Sequence, residues 1–496
     1  MKNSTFKWIG FFVLITVSWV CIISMQRKND EYKSLPVTDN TCDCYSTSSL
    51  YNVQIDFNNQ VPGDLPSFSN QSQADCFAWQ EFISLNWPTD GSNVFGQPLD
   101  YDPVTWETYM PKQVMFQPNG VKPPAWGTLV SPEYASKFKT QKMLMNTSKT
   151  KLLTFTAKFA DTDTIRGLDP HQAAPFDKPN WLGAQNGTNV WYEIMLNKDY
   201  YDFVVQNGYY NAITQHEAAQ KGIPLNFPQG VYNGAVGAIE LKAAWMEVDN
   251  IQSAKWQRYK LSKAVVMDAS TGKLRNTTVA LVGLHILHKT QNQPTWVWAT
   301  FEHIDNVPNT ASETPPPYGY NFYTKNCTPK QVSLKGGGTA TVNCTANVSP
   351  PYYLSQAGPV PIQISRVNSI DPEDAAPINT KMQNSIRGFY PNSVFQYYQL
   401  VDVIWSQLPQ ADPTTPIQAP RKLNSSSMTS GKAIVANTTM ESYVQNTNTC
   451  ISCHVYSTIA PYDKDTVNNN IFGDFSFAIS AANYPKSNLK KKKVKQ

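Results

Sequence analysis

The chain has 496 residues, of which 41% are hydrophobic, 16% charged and 12% aromatic, and 35 are prolines. That length holds two or three ordinary domains with sizeable cores, and the prolines argue for long punctuated loops and against a helical bundle. The formal charge falls from +4 to −2 once the six lysines at 486, 490–493 and 495 are set aside, so the body is near neutral; with no basic stripe or recognition motif in it, nucleic acid is not an expected partner.

Residues 1–28 read as an uncleaved signal anchor. The apolar run from Trp8 to Met25 is about 18 residues long, with Lys2 and Lys7 before it and Arg27 and Lys28 after it. No small-residue cleavage site follows it, and the balanced flanking charges leave its orientation open. Residues 29–70 are polar and turn-rich, and read as a tether.

Residues 71–410 form the expected body. "SQADCFAWQEFISLNWP" predicts a helix capped near Ser72 or Asp75, striped by Phe77, Trp79, Phe82, Ile83 and Trp87 and stopped by Pro88. Residues 90–190 read as loops. "NVWYEIMLNKDYYDFVVQNGYYNAI" predicts a second helix, ended at Asn207-Gly208. From about residue 235 the period shortens to two. "GAIELKAAWMEV", "RYKLSKAVVMD", "TVALVGLHILHKT" and "TWVWATFEHID" predict successive strands of an antiparallel sheet, with turns at 268–272 and 292–294. Cys327 and Cys344 flank a glycine turn at 336–338 and form a candidate disulfide hairpin; Cys76 is a candidate partner for Cys42 or Cys44. "FQYYQLVDVIW" fits a strand or a helix. Residues 411–420 are a linker by composition, 421–485 a small C-terminal segment, and 486–496 a basic tail: a solvated end, or a dock for an anionic surface.

That C-terminal segment carries "TNTCISCHVYS", with Cys450, Cys453 and His454 in the spacing C-x-x-C-H. A thioredoxin-like pair belongs between a strand and a helix near the start of its domain. A zinc site needs two more ligands, and no Cys or His follows His454. A plain disulfide leaves His454 unexplained. One haem c fits: two thiols reach the two vinyl groups on one edge of the macrocycle, and the adjacent His454 binds the iron from below. The distal ligand is open, because the last methionine, Met440, precedes the motif. Met440, Met428 and His303 are the weak candidates, with His285 and His288 more remote. Glu302 and His303, at the end of the strand "WVWATFEHIDN", are weak candidates for a proton shuttle.

The segments "ADCFAWQEFISLNWP", "WYEIMLNKDYYDFVVQNGYYN", "GAIELKAAWMEV", "GLHILHKTQNQPTWVWATFEHIDNVP", "ANTTMESYVQNTNTCISCH" and "DFSFAISAA" run from 74 to 482. On them the chain resembles a family of uncharacterised bacterial cytochrome c family proteins. The resemblance implies one C-terminal c-type haem and an exported location. It also implies that 474–482 closes the haem segment. It supplies no substrate. Covalent haem attachment takes place outside the cytoplasm, so the motif and the anchor together predict a body on the periplasmic side of the inner membrane.

The expectation is therefore an α+β fold: a β-rich antiparallel body with a few helices, and a haem segment packed against it as one cooperative unit. Electron transfer to a redox partner protein ranks first. A peroxidase-like haem enzyme with an open iron and a haem-linked ligand sensor are the alternatives. Oligomeric state is left open.

Overall fold

The computed structural model describes residues 56–140, 149–153, 181–267, 274–310, 313–333, 338–350, 360–423, 434–446, 450–461 and 470–486. All lie within one unit, Thr41–Gln496; the other, Met1–Asn40, is outside the described residues.

One large sheet organises the fold. Its spine is β6 (Leu274–His288). On one side β6 pairs with β4 (Ile239–Glu247), which pairs with β3 (Val190–Leu196) and through it with the two-residue β1 (Met110–Pro111). On its other side β6 serves two partners in succession: β5 (Leu261–Met267) along its first half and β7 (Val297–His303) along its second. β7 continues to β10 (Tyr398–Ile404), so the ambiguous stretch 395–405 is a strand. These pairs are antiparallel, as the alternation predicts. β2 (Thr150–Leu153) lies parallel to β5, in a region expected as loop. A small hairpin, β8 (Lys330–Ser333) with β9 (Thr339–Val342), is tied by the Cys327–Cys344 disulfide. Cys76 is also disulfide-bonded, to a partner outside the described residues.

A bulge sets which side chains face which core. Ala244 pairs with Gly283 but Trp245 pairs with Leu281, leaving one extra residue in β6. Val279 and Leu281 therefore share a face with Leu284 and Ile286, in the larger core. The opposite face carries two separate apolar clusters, one around Ala280 and Val282 and one around Leu287 and Trp298.

The larger core is closed by α1 (Gln71–Leu85), where every residue from Gln73 to Leu85 is buried. The expected apolar stripe is thus a fully enclosed helix. Its cap is Asn70, which accepts from the Gln73 amide, and not Ser72 or Asp75. Phe82 stacks on Phe301 with centroids 4.4 Å apart. Helix α4 (Ala375–Phe389) packs beside it: Trp79 Nε1 donates to Asn379 Oδ1 at 3.2 Å. The supposed tether is packed from residue 56 onward, with Leu65 buried and Phe68 against Phe77 at 5.5 Å.

The second predicted helix is half strand. "VWYEIML" is β3, rich in the branched and aromatic residues a buried strand takes. Asn197 then caps α2 (Lys198–Gln206), accepting from the Tyr200 amide, and α3 (Ala212–Gln220) follows. The polar Asn197-Lys198-Asp199, the cap and first turn of α2, divides the two halves of the run.

Two expectations are corrected. No helix among the described residues is long and apolar enough to cross a membrane, the longest having 15 residues. The predicted anchor, 1–28, lies outside the described residues. No group of three or more His, Cys, Asp or Glu among the described residues could hold a metal ion. The physical reason is pairing: His288 is bonded to Glu81, and His285 to Glu441, each histidine taken by a single carboxylate.

The described residues of 435–482 do not form a core of their own. Val435, Ile451, Phe472, Phe475 and Ile479 share one cluster with Leu196, Tyr200, Phe227, Leu287 and Trp298. The Pro-rich stretch 411–420 is strapped to the same region, with Asp412 2.9 Å from Lys289 and the Ala419 amide donating to Asn470.

Candidate functional site

The C-x-x-C-H residues form the short helix α5 (Cys450–His454). One helical turn brings Cys453 and His454 round to the side of Cys450. Ile451 anchors the turn in the shared cluster. Both thiols are free and partly buried. Burial pushes both up, and the Glu441 carboxylate adds to it.

His454 is fixed from two directions. Its Nδ1–H donates to the Phe475 carbonyl at 2.6 Å. The indole of Trp298 and the ring of Phe477 meet the imidazole at 4.6 and 4.9 Å between centroids. Burial in this aromatic nest pushes the imidazole down to about 3, although the bond to Phe475 opposes the shift. The ring is neutral, with its proton on Nδ1 and its lone pair on Nε2.

The carbonyl that holds His454 lies in an unusual stretch. Asp474 and Phe475 both have left-handed backbones, φ 51° and 63°, without being glycine. Side-chain bonds hold both flanks. Asp474 Oδ2 accepts from the Phe227 amide at 2.7 Å and from Lys289 Nζ at 2.5 Å. Ser476 Oγ donates to Glu240 Oε2 at 2.6 Å and lies 2.9 Å from the Tyr200 hydroxyl. Asp474 and Lys289 are fully buried. Burial raises the Asp474 carboxyl to about 6, against the pull of Lys289.

The sheet supplies the floor. Leu287 pairs with Trp298, and one row along, Lys242, His285 and Thr300 stand side by side on β4, β6 and β7. His285 Nε2 lies 3.1 Å from Glu441 Oε1, while Glu441 Oε2 accepts from the Asn437 amide at 2.8 Å. Burial would raise the Glu441 carboxyl, but His285 and Lys242 outweigh it and hold it low. Residues 437–441 press so closely on β6 that a Cβ on Gly283 would stand 2.3 Å from Thr439 Oγ1.

The other predicted residues lie elsewhere. Met440 is fully buried in the cluster around Val282, apart from the cluster that takes α5. Met428 is outside the described residues. His303 stacks on Tyr259 at 3.8 Å and uses both ring nitrogens: Nε2 donates to the Arg258 carbonyl and Nδ1 accepts from the Asp305 amide. Glu302 is bound by Arg366 and by the Thr438 hydroxyl at 2.6 Å. Glu302 and both ring nitrogens of His303 are thus engaged in structural bonds, and Met440 packs in a different apolar cluster from α5. His288 is held between Glu81 and the Val236 carbonyl.

Sequence reasoning placed the thiols and His454 together, and the resemblance brought 474–482, with Phe475 and Phe477, to the same segment; Trp298 was missed. The "WVW" triplet is the one signal that could have found Trp298. Nothing in the sequence announces the backbone at Asp474-Phe475.

Chemically, the site offers two protonated thiols and one imidazole lone pair at a partly apolar surface. Raised thiols do not suit thiolate exchange, which needs lowered ones. The donor set does suit a haem, whose iron is already held by the macrocycle and takes one imidazole from the protein. Compared with family models, with curated proteins and with solved structures, the chain matches none of them.

Proposed function

We propose that the chain carries one covalent haem c at Cys450 and Cys453, with His454 as proximal iron ligand, and works in electron transfer with a redox partner protein. The observation that carries this reading is the His454 Nδ1–H bond to the Phe475 carbonyl, which leaves Nε2 as a donor beside two free thiols. The bound group would supply a one-electron centre. The protein's residues do the rest. Trp298 and Phe477 hold the imidazole plane and keep water from its flanks. The 437–441 turn brings Glu441 to His285 at the edge of the same floor. The engagement of Glu302 and His303 in structural bonds favours electron transfer over peroxidase-like catalysis. The disulfides at Cys76 and Cys327–Cys344 agree with an oxidising, exported setting, and the resemblance to cytochrome c family proteins points the same way.

The test is production in a host with working cytochrome maturation, followed by a pyridine haemochrome assay, intact mass and an absorbance scan. Coloured protein heavier than the polypeptide by one haem is expected, and Cys450→Ser with Cys453→Ser abolishes the increase. Colourless protein with the bare mass overturns the reading.

A further inference from the structure

We propose that Lys289 and Asp474 are positioning residues that fix the tautomer and orientation of His454 through the Phe475 carbonyl. The inference rests on the haem reading for its purpose, but its geometry stands on the apoprotein.

The chain of contacts is short. Lys289 follows the last residue of β6, the sheet's spine, and its backbone is tied on both sides: its amide donates to the Ala238 carbonyl and its carbonyl accepts the Gly230 amide. Its ammonium is fully buried and meets Asp474 at 2.5 Å and Asp412 at 2.9 Å. The same Asp474 oxygen accepts the Phe227 amide, so the carboxylate is held at a fixed point between two donors. Asp474 and the next residue both take a left-handed backbone that side-chain-bearing residues disfavour. That double turn is what directs the Phe475 carbonyl at His454 Nδ1. Left to local preference, the pair would relax toward a right-handed or extended conformation and swing the carbonyl away.

The far flank is secured independently by Ser476 with Glu240 and Tyr200. Asp474 is therefore the constraint on one side of the peptide and Ser476 the constraint on the other. An imidazole without the carbonyl would be free to place its proton on Nε2, the atom needed for iron. Burial of an ion pair here is not an efficient means of stabilisation, since desolvation offsets most of the attraction. Holding a strained peptide in register is a role that its location explains.

The experiment is nitrogen-15 NMR of histidine-labelled full-length protein without haem, reading the tautomer of His454. Wild type is expected to show the Nδ1–H form alone. Lys289→Met and Asp474→Asn are expected to populate the Nε2–H form at several-fold higher levels, and Lys289→Arg to restore the wild-type pattern. Asp474→Gly relaxes the backbone strain while removing the clamp, so it provides a second folded variant with the same expected shift. Lys151→Met, at a buried ion cluster formed with Glu107 and Glu193, is the stability control; it should lower stability and leave the tautomer unchanged. A His454 that stays purely Nδ1-protonated in Lys289→Met and in either Asp474 variant overturns the proposal. So does a shift of equal size in Lys151→Met. Haem attachment is scored separately by mass after maturation: a moved tautomer with no haem sinks the haem reading alone, and an unmoved tautomer with haem attached sinks this one alone.

Discussion

The indole of Trp298 meets the imidazole of His454 edge to face, with centroids 4.6 Å apart and planes at 63°. This contact joins β7 of the sheet to α5, two elements far apart in the chain. Trp298 is 2% exposed and its Nε1 donates to the Thr295 carbonyl, so the indole cannot turn away. Trp298→Ala should destabilise the protein by about 3–5 kcal/mol, and Trp298→Phe by less. Urea unfolding measures both. A loss below about 1 kcal/mol for the alanine variant would mean the contact is incidental.

The close approach of the 437–441 turn to β6 predicts a coupled pair. Gly283→Ala places a methyl 2.3 Å from Thr439 Oγ1, a separation at which a neighbour must shift. Overpacking of this kind costs about 1–3 kcal/mol. Thr439→Ala in the same chain should recover part of the loss, and a double-mutant cycle reads the coupling directly. Additive effects would place the strain elsewhere.

Glu302→Gln keeps the shape of the side chain but leaves Arg366 buried without its counter-charge. The expected penalty is about 3–5 kcal/mol of stability. The absorbance spectrum of the haem-loaded variant should not change. A spectral shift with unaltered stability would return Glu302 to the list of site residues.

His303 predicts part of the response to acid. Burial holds its folded-state pKa down at about 4, against an ordinary value of 6.5. Its Nδ1 accepts the Asp305 amide, so a proton there would meet another N–H. The unfolded chain takes up the proton first. The contribution of His303 is therefore full above pH 6.5 and lost as pH falls toward 4, up to about 3 kcal/mol. In haem-free protein His454, pushed down to about 3, adds a loss of the same sign. His303→Gln should make stability less steep between pH 6.5 and 4, measured by chemical unfolding across that range. An unchanged slope would show that His303 does not titrate with folding.

Limited proteolysis addresses the shared core. Because Ile451, Phe475 and Ile479 pack with Leu287 and Trp298, no folded fragment covering residues 421–485 should be released. A stable haem-bearing fragment would contradict the single core.

The sheet was legible because its strands alternate and its turns are marked. All four strands predicted after residue 235 are present. β3 was hidden because "VWYEIML" is followed at once by a helix, and the polar Asn197-Lys198-Asp199 between them, a cap and first turn, was read as part of one helix. β2 was hidden because four residues carry no period, and its parallel partner β5 lies more than a hundred residues away. The C-x-x-C-H motif was plain, since its chemistry is local. The candidate distal residues were read from type and nearness in sequence, whereas burial and pairing place Met440, Glu302 and His303 in structural contacts. Tertiary partners such as Arg366 for Glu302 and Tyr259 for His303 leave no local signature.

The apolar wall formed by Leu196, Leu287, Trp298 and Ile404 is complete before residue 434 is reached, yet its cover is drawn from residues 435–482. A nascent chain emerging from the ribosome therefore shows a greasy, unfinished surface until residues 435–482 have followed it. Truncations between residues 434 and 471, which delete Phe472, Phe475 and Ile479, should yield sticky products that cellular quality control removes, rather than truncated but tolerable proteins.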